Sequence, residues 1–471
     1  MASLAHNLLR WVAATRLSRR SVARAPLPGS VAINRYIDEE NMSMKRHDDS
    51  APPPSNQPIW ELGGDERLLD PGPGVLGGRY DVLVVGGGVI GLATSALCRR
   101  AGLGRVAVME RGRLAAGPSG RGAGILAPAL HRGTDPECLF RFGHGSLSMW
   151  SELDREWDGA LGVQPLDVLL THRAEPPPSP RGAGPGPEPE ATPAAPPAGA
   201  PQPAPERASG TEVLGLERAS GTEVLGPEAA RGVEPQLAAG RAGVLLRDQA
   251  RVDPLGLAVA LARRAGTVAT RVEVTGIQDA GSGGVRVRTG QGDLRAGAVV
   301  LATGSAPAIR GLPAPSGQLL VKGTLLTTTP APLRLRVGVA GRGGLVLQLP
   351  DGRLLFGNTF DLTDRSSEVR AETLAATRAD LEALIPGAAG LPLSNAWTCF
   401  RPATAGGLPV IDKVDGLDRV WTTYGHFRTG FLLAAATGQA LANWISNGER
   451  PDQVAAFSAG QPSRATGPYL D

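Results

Sequence analysis

The chain has 471 residues, enough for two or three domains, and 42% of them are hydrophobic, which supports a sizeable core. A net charge of +3, with only three lysines (Lys45, Lys322, Lys413) among the basic residues, gives no general case for nucleic-acid binding. Three widely spaced cysteines (Cys98, Cys138, Cys399) argue against a disulfide framework and fit a reducing compartment, and no apolar run reaches the roughly 18 residues of a membrane span.

Residues 1–78 read as an appendage. Residues 1–30 carry five arginines and no acid, interleaved with apolar positions. That composition suits a mitochondrial or plastid transit peptide, a disordered basic leader, or a start site assigned too far upstream. Without import, the expected compartment is the cytoplasm.

From residue 79 the pattern sharpens. Residues 81–85 are nearly all apolar, as a parallel strand buried on both faces requires. Gly86-x-Gly88-x-x-Gly91 follows and opens a helical stretch to about residue 101, and a second apolar strand, 106–109, ends at Glu110. Gly86 permits the tight turn, Gly88 lets backbone approach a pyrophosphate, and Gly91 allows helix and strand to pack closely. The helix start offers free N–H groups and partial positive charge to phosphates. Glu110 stands 19 residues after Gly91, where a carboxylate can accept from ribose hydroxyls. A merely Gly-rich turn leaves Glu110 unexplained, so the stretch reads as a dinucleotide site.

Residues 117–128 form a small-residue loop, 138–157 have helical apolar spacing, and 162–171 resemble a strand. Residues 172–226 break the pattern. They are Pro/Ala/Gly-rich and then carry a tandem duplication of 11 residues, RASGTEVLGLE from Arg207 and RASGTEVLGPE from Arg218. The Pro-rich part cannot bury enough apolar surface to order itself, so a disordered surface insertion is expected. Order resumes at 244–246, and Asp253 is placed to cap a helix reaching residue 264. Strand-like stretches follow at 268–275 and 285–288, and residues 298–304 form another buried strand ending in a Gly turn. Residues 319–328, 344–348 and 354–359 suit an antiparallel sheet, with Pro350-Asp351-Gly352 as a hairpin turn. A helix over 367–384, strands at 395–400 and 420–423, and a buried helix from Gly430 complete the chain. His131 and His144 lack metal-ligand spacing, so no metal is expected.

Taken in order, several pieces resemble the D-amino-acid oxidase superfamily of FAD enzymes, and within it the glycine oxidases of thiazole (thiamine) biosynthesis. They are the Gly86–Gly91 loop with Glu110, the run from Ser119 to Pro128, residues 226–235 with Val252-Asp253-Pro254, and residues 299–304. They continue with Asp351-Gly352-Arg353 through Gly357, Trp397-x-x-x-Arg401-Pro402 with residues 408–411, and Gly425-His426-Phe427-Arg428-x-Gly430. The last two are the specific ones.

The resemblance implies an α/β chain: a Rossmann-like FAD-binding domain of the glutathione-reductase type, interleaved with an antiparallel-sheet α+β substrate domain. The division it suggests is a disordered extension (1–78), FAD-binding parts (79–171, 227–311, 401–448), the insertion (172–226), a substrate-binding part (312–400) and a tail (449–471). FAD contacts carry over to Gly86, Gly88, Val89, Ile90, Gly91, Glu110, Arg111, Ser119, Gly122, Ala123, Gly124, Thr303, Gly304, Gly425, His426, Phe427, Thr429 and Gly430. Arg401 is implied as the partner of the substrate carboxylate, a planar fork for a planar anion. An ordinary structural ion pair is its alternative. Arg428 resembles the family's second active-site arginine, and the helix from Gly430 would aim its positive end at the flavin.

The implied reaction moves hydride from Cα of a small amino acid or amine to flavin N5, followed by imine hydrolysis and reoxidation by O2. The protein mainly positions the substrate. A sarcosine-type oxidase or dehydrogenase with another acceptor, and an FAD-binding scaffold, are the alternatives; a homo-oligomer is compatible with all three. The sequence also departs from the glycine oxidases. Residues 337–348 lack their His and Tyr over the substrate, and Asp412 stands where many relatives have Gly. Cys399 falls, by its spacing to Ile411-Asp412, where monomeric sarcosine oxidases attach flavin covalently, although a buried cysteine is more often a small core residue.

Overall fold

The computed structural model describes residues 66–173 and 222–460, apart from positions 75, 133–134, 306–308, 311, 314, 316 and 358. The glycine loop lies where the sequence predicts it, between β1 (Arg79–Val85) and α1 (Val89–Arg100), with β2 (Val106–Met109) next. A short β3 (Ile125–Leu126) and the long α2 (Glu137–Glu156) lead to β4 (Gln164–Arg173). Then come β5 (Thr222–Leu225), α3 (Pro227–Val233), β6 (Arg241–Arg251), α4 (Pro254–Ala262), β7 (Thr267–Ala269), β8 (Val274–Asp279), β9 (Val285–Thr289) and β10 (Gly292–Leu301). The rest is β11 (Gln318–Pro330), β12 (Gly338–Gly341), β13 (Gly344–Gln348), β14 (Arg353–Gly357), α5 (Ala371–Leu384), β15 (Leu393–Thr404), β16 (Val410–Val414), β17 (Leu417–Tyr424) and α6 (Gly430–Asn447).

Two sheets organise these elements. The first has eight strands, with the central order β16-β17-β10-β1-β2-β7 and with β8 and β9 joined through β10. Strands β17, β10, β1, β2 and β7 run parallel. Their apolar runs are buried on both faces, as parallel strands require. One face packs against α1, α2, α4 and α6; the other packs against the β8–β9 hairpin. The second sheet has nine strands in the order β15-β11-β14-β13-β12-β4-β6-β3, with β5 on β6. All its pairings are antiparallel except β12 with β4. Residues alternate between its faces. Leu326, Val346, Leu354 and Phe356 enter a core shared with α5, which frees their neighbours for the opposite face.

Several boundaries differ from the sequence reading. By hydrogen bonding, β4 and β6 belong to the nine-stranded sheet rather than to the dinucleotide half. Strand β15 runs through residues 400 and 401 without a break, so Arg401 also belongs to that sheet. The insertion is narrower than residues 172–226. His172 and Arg173 end β4, and Thr222–Leu225, from the second copy of the duplication, pair with β6 at the sheet edge. The remainder of the insertion, with the first copy of the duplication, lies outside the described residues. So do the Arg-rich segment and the last residues, 461–471.

The appendage and tail likewise hold ordered pieces. Leu69 is fully buried in the core beside α1. Asp70 accepts from Thr270 Oγ1 at 2.7 Å and pairs with Arg271. In the tail, Val454 and Phe457 are fully buried, with Phe457 edge-on to Phe142 at 4.9 Å between ring centroids. The helix expected over 367–384 begins only at Ala371, because the residues before it form a polar loop around Lys322. Asp253 caps α4 as expected, accepting from Gly256 N at 2.8 Å.

Leu69→Ala should lower unfolding free energy by about 2–5 kcal/mol. Urea denaturation of the two proteins measures it, and an unchanged midpoint would return residues 66–78 to the status of an appendage.

Candidate active site

At the glycine loop three strands' worth of backbone meet. Gly86 has φ +117°, and a Cβ on it would stand 2.3 Å from the Ala302 carbonyl oxygen. A Cβ on Gly91 would stand 2.0 Å from the Gly86 oxygen. Only glycine fits either position. Glu110, at the end of β2, accepts from Gly87 N at 2.7 Å and from Gly112 N at 2.8 Å, which fixes its carboxylate beside the loop. Ser119 Oγ accepts from Val89 N at 3.0 Å, tying the small-residue loop to the start of α1.

A cavity of about 540 Å³ runs along this end of the eight-stranded sheet. Among its lining residues are Gly86, Gly88, Val89, Ile90, Glu110, Arg111, Ser119, Thr303, Gly304, Gly425, His426, Phe427 and Gly430. A second cavity of about 170 Å³ shares Val89, Ser119, Phe427 and Gly430 with the first. It adds Gly122, Ala123, Gly124 and Thr429, together with Arg401, Arg428, Cys399, His131 and a group of leucines. Of the positions expected to contact the cofactor, Gly91 alone lines neither cavity; it backs the loop.

His426 is buried in the wall of the larger cavity. Its Nε2 shares a 3.1 Å hydrogen bond with Thr437 Oγ1, and burial pushes its pKa down to about 3. It is neutral at ordinary pH and holds the turn that starts α6.

Arg401 lies on β15, 8% exposed. Its Nη2 donates to the Thr359 carbonyl at 3.0 Å, while Nη1 is buried with no hydrogen-bond partner. The guanidinium sits 5.0 Å from the Phe360 ring centroid and 5.9 Å from that of Phe427. Its seat is Gly323 on β11, where a Cβ would stand 1.7 Å from Nη2. Burial lowers the Arg401 pKa from its usual value, with the Arg428 charge adding in the same direction.

Arg428 is differently placed. It forms a 2.7 Å ion pair with Asp135, and both side chains are largely buried. His131 is held well below the usual imidazole range by burial and by the Arg428 charge, and is neutral. Among the described residues lining the smaller cavity, Arg401 is then the cation with no acidic partner.

The neighbours of Arg401 are explained by the same geometry. Burial pushes the Cys399 thiol up, against the pull of Arg401 and Arg121, so it stays protonated at neutral pH. Trp397 donates from its indole to the Arg121 carbonyl at 3.0 Å, and Arg121 reaches the Thr398 carbonyl at 3.3 Å. The tryptophan of the motif thus pins the small-residue loop to β15. Asp412, the departure from glycine, accepts from Ala459 N at 2.9 Å and so docks the tail. Asp135, Thr359, Phe360 and Gly323 carried no local sequence signal, because each acts on an arginine distant in the chain.

The profile of the FAD dependent oxidoreductase (DAO) family matches residues 81–444. The chain belongs to this family. It is 25% identical to a glycine oxidase of Bacillus licheniformis over 81% of its own length and 97% of the relative's. With a glycine oxidase of Pseudomonas aeruginosa the identity is 28%, over 78% and 95% of the two chains. The solved structure of glycine oxidase from Geobacillus kaustophilus superposes with a TM-score of 0.66 and 25% identity, covering 82% of this chain and 99% of that one. The expected α/β architecture and the FAD cofactor therefore stand. The site agrees: a glycine loop at a helix start, a fixed carboxylate and an adjoining cavity are the donor set a flavin dinucleotide needs.

Gly91→Ala should give protein purified with little flavin, read from the ratio of visible to 280 nm absorbance. A full complement of FAD would mean the loop tolerates the clash. His426 gives a pH signature. Its pKa is about 3 when folded and roughly 6.5 when unfolded, so the unfolded chain binds the extra proton between those values. Its contribution to stability is complete above pH 6.5 and is lost as pH falls toward 3, with a slope of up to about 1.4 kcal/mol per pH unit. His426→Gln should flatten that part of the curve of unfolding free energy against pH.

Proposed function

We propose that the protein oxidises the carbon–nitrogen bond of an amino acid or amine, with FAD in the larger cavity and along the Gly122–Gly124 side of the smaller one, and with the substrate carboxylate on Arg401. The observation that carries this is the buried, unpartnered Nη1 of Arg401, which lines the smaller cavity. A buried donor on a cation is costly to leave unsatisfied. A carboxylate arriving there completes its bonding. The names of the relatives, glycine oxidases over most of their lengths, support an amine donor.

When bound, FAD supplies the two-electron acceptor for this reaction. The chain supplies positions and charge. In this reading the glycine loop, Glu110 and residues 117–124 hold the dinucleotide, and the nine-stranded sheet presents the substrate. Asp135 is committed to Arg428, and Arg401 to the carboxylate, so the pocket favours the neutral amine over the ammonium and needs no general base of its own. His131, held neutral, adds no charge that would compete for the carboxylate.

The test is anaerobic titration of the holoenzyme with glycine, sarcosine and D-alanine, following loss of the flavin absorbance. At least one should bleach it, and Arg401→Ala should cut the apparent affinity about a hundredfold, as loss of a buried charge-assisted pair worth roughly 3 kcal/mol requires. Bleaching indifferent to Arg401→Ala would overturn the assignment of the anchor. Readmitting air then separates O2 from another acceptor.

A further inference from the structure

The smaller cavity has a wall that Arg401 does not explain. Alternation along the strands turns Leu345 and Leu347 of β13 to one face, while Val346 between them enters the α5 core. Leu355 of β14 pairs directly with Leu347, and Leu325 of β11 lies one strand beyond. All four leucines line the cavity. Among the polar side chains nearby, Ser119 Oγ accepts from Val89 N, Thr429 Oγ1 donates to the His426 carbonyl, and Arg428 pairs with Asp135. Residues 337–348, which hold no His or Tyr, thus contribute hydrocarbon where a polar substrate would need hydrogen bonds.

From this wall we infer the substrate class: an amino acid whose side chain is an aliphatic chain of several carbons, rather than glycine. The inference rests on the amine-oxidation reading above and names what that site selects. A charged or hydroxylated side chain would be stripped of water against leucine with nothing to replace it. Each buried methylene, in contrast, gains about fourfold in affinity until the cavity is full.

The experiment has a binding arm and a turnover arm, both on the holoenzyme. Calorimetric titration with acetate, propanoate, butanoate and pentanoate should show Kd falling about fourfold per carbon. Arg401→Ala should weaken all four alike, and Leu345→Asn should flatten the series. If Leu345→Asn does not fold, Leu345→Ala, which keeps the wall apolar and widens it, should shift the optimum to a longer chain. Anaerobic bleaching should favour norvaline over glycine, with aspartate poorest. A flat or falling carboxylate series, or glutarate binding as tightly as pentanoate, overturns the inference. Glycine bleaching better than norvaline overturns it too and leaves amine oxidation standing. A rising carboxylate series without bleaching by any of these amines supports the apolar wall and counts against amine oxidation.

Discussion

A guanidinium buried with no acidic partner among the described residues is the constraint around which this part of the nine-stranded sheet is built. Taking such a charge out of water costs several kcal/mol unless the surroundings replace its hydration. Around Arg401 that replacement is partial: one carbonyl, two aromatic faces and a bare glycine to lie on. The loop that brings Thr359 and Phe360 is itself fastened from below. Lys322 reaches Asp364 at 2.7 Å, with both side chains 5% exposed, and also donates to Ser366 Oγ and to the Glu368 carbonyl. The Lys322 ammonium holds the Asp364 carboxyl well below the usual carboxylate range. Lys322 and Gly323 are consecutive on β11, so strand alternation lets one dipeptide serve both needs. Gly323 opens the seat, and Lys322 fixes the loop that borders it.

The second arginine shows why the first keeps an open valence. Two uncompensated guanidinium groups lining one small cavity would repel, and in a dry site the repulsion is strong. Asp135, from the segment before α2, neutralises Arg428. His131, a few residues earlier, is kept neutral by the same burial that makes the pair costly to break. Among the described residues that line this cavity, Arg401 is then the arginine with no acidic side chain beside it, which is the feature the proposed carboxylate would answer. The charge balance of the pocket, more than any one residue, points to the ligand.

Legibility in the sequence follows the range of the interactions. The β1–α1–β2 unit was readable because Gly91 and Glu110 act on backbone within a few dozen residues, and period and spacing survive in one dimension, even though the Ala302 carbonyl that Gly86 accommodates is remote in the chain. Arg401 stood out in the sequence because it sits in a motif with Trp397, whose indole fixes the adjoining loop, and the structure gives it a buried place on β15. Asp135 did not, since its partner lies 293 residues away. Thr359 and Phe360 were missed for the same reason. The packed segments around Leu69 and Phe457 escaped notice because single buried residues carry no period. Thr222–Leu225 looked like part of a low-complexity repeat, and became a strand because β6 offered an edge with unpaired backbone groups.

The cofactor half and the substrate half therefore answer to different rules. Around the dinucleotide, backbone groups and glycines do the holding, and their replacement breaks the loop itself, as the contacts of Gly86 and Gly91 show. Across the substrate wall the strand backbone is held by pairing and by the α5 core, through Val346, Leu354 and Phe356. The alternate positions, Leu345, Leu347 and Leu355, line the smaller cavity, with Leu355 packed beside Trp397 and Leu345 beside Val168 and Leu246. Substitutions there change what the cavity accepts while leaving the inward face intact. A chain can thus keep an arginine at the Arg401 position and a glycine loop for the cofactor and still differ from glycine oxidases at the wall between them, which is where the proposal made from these leucines places the difference.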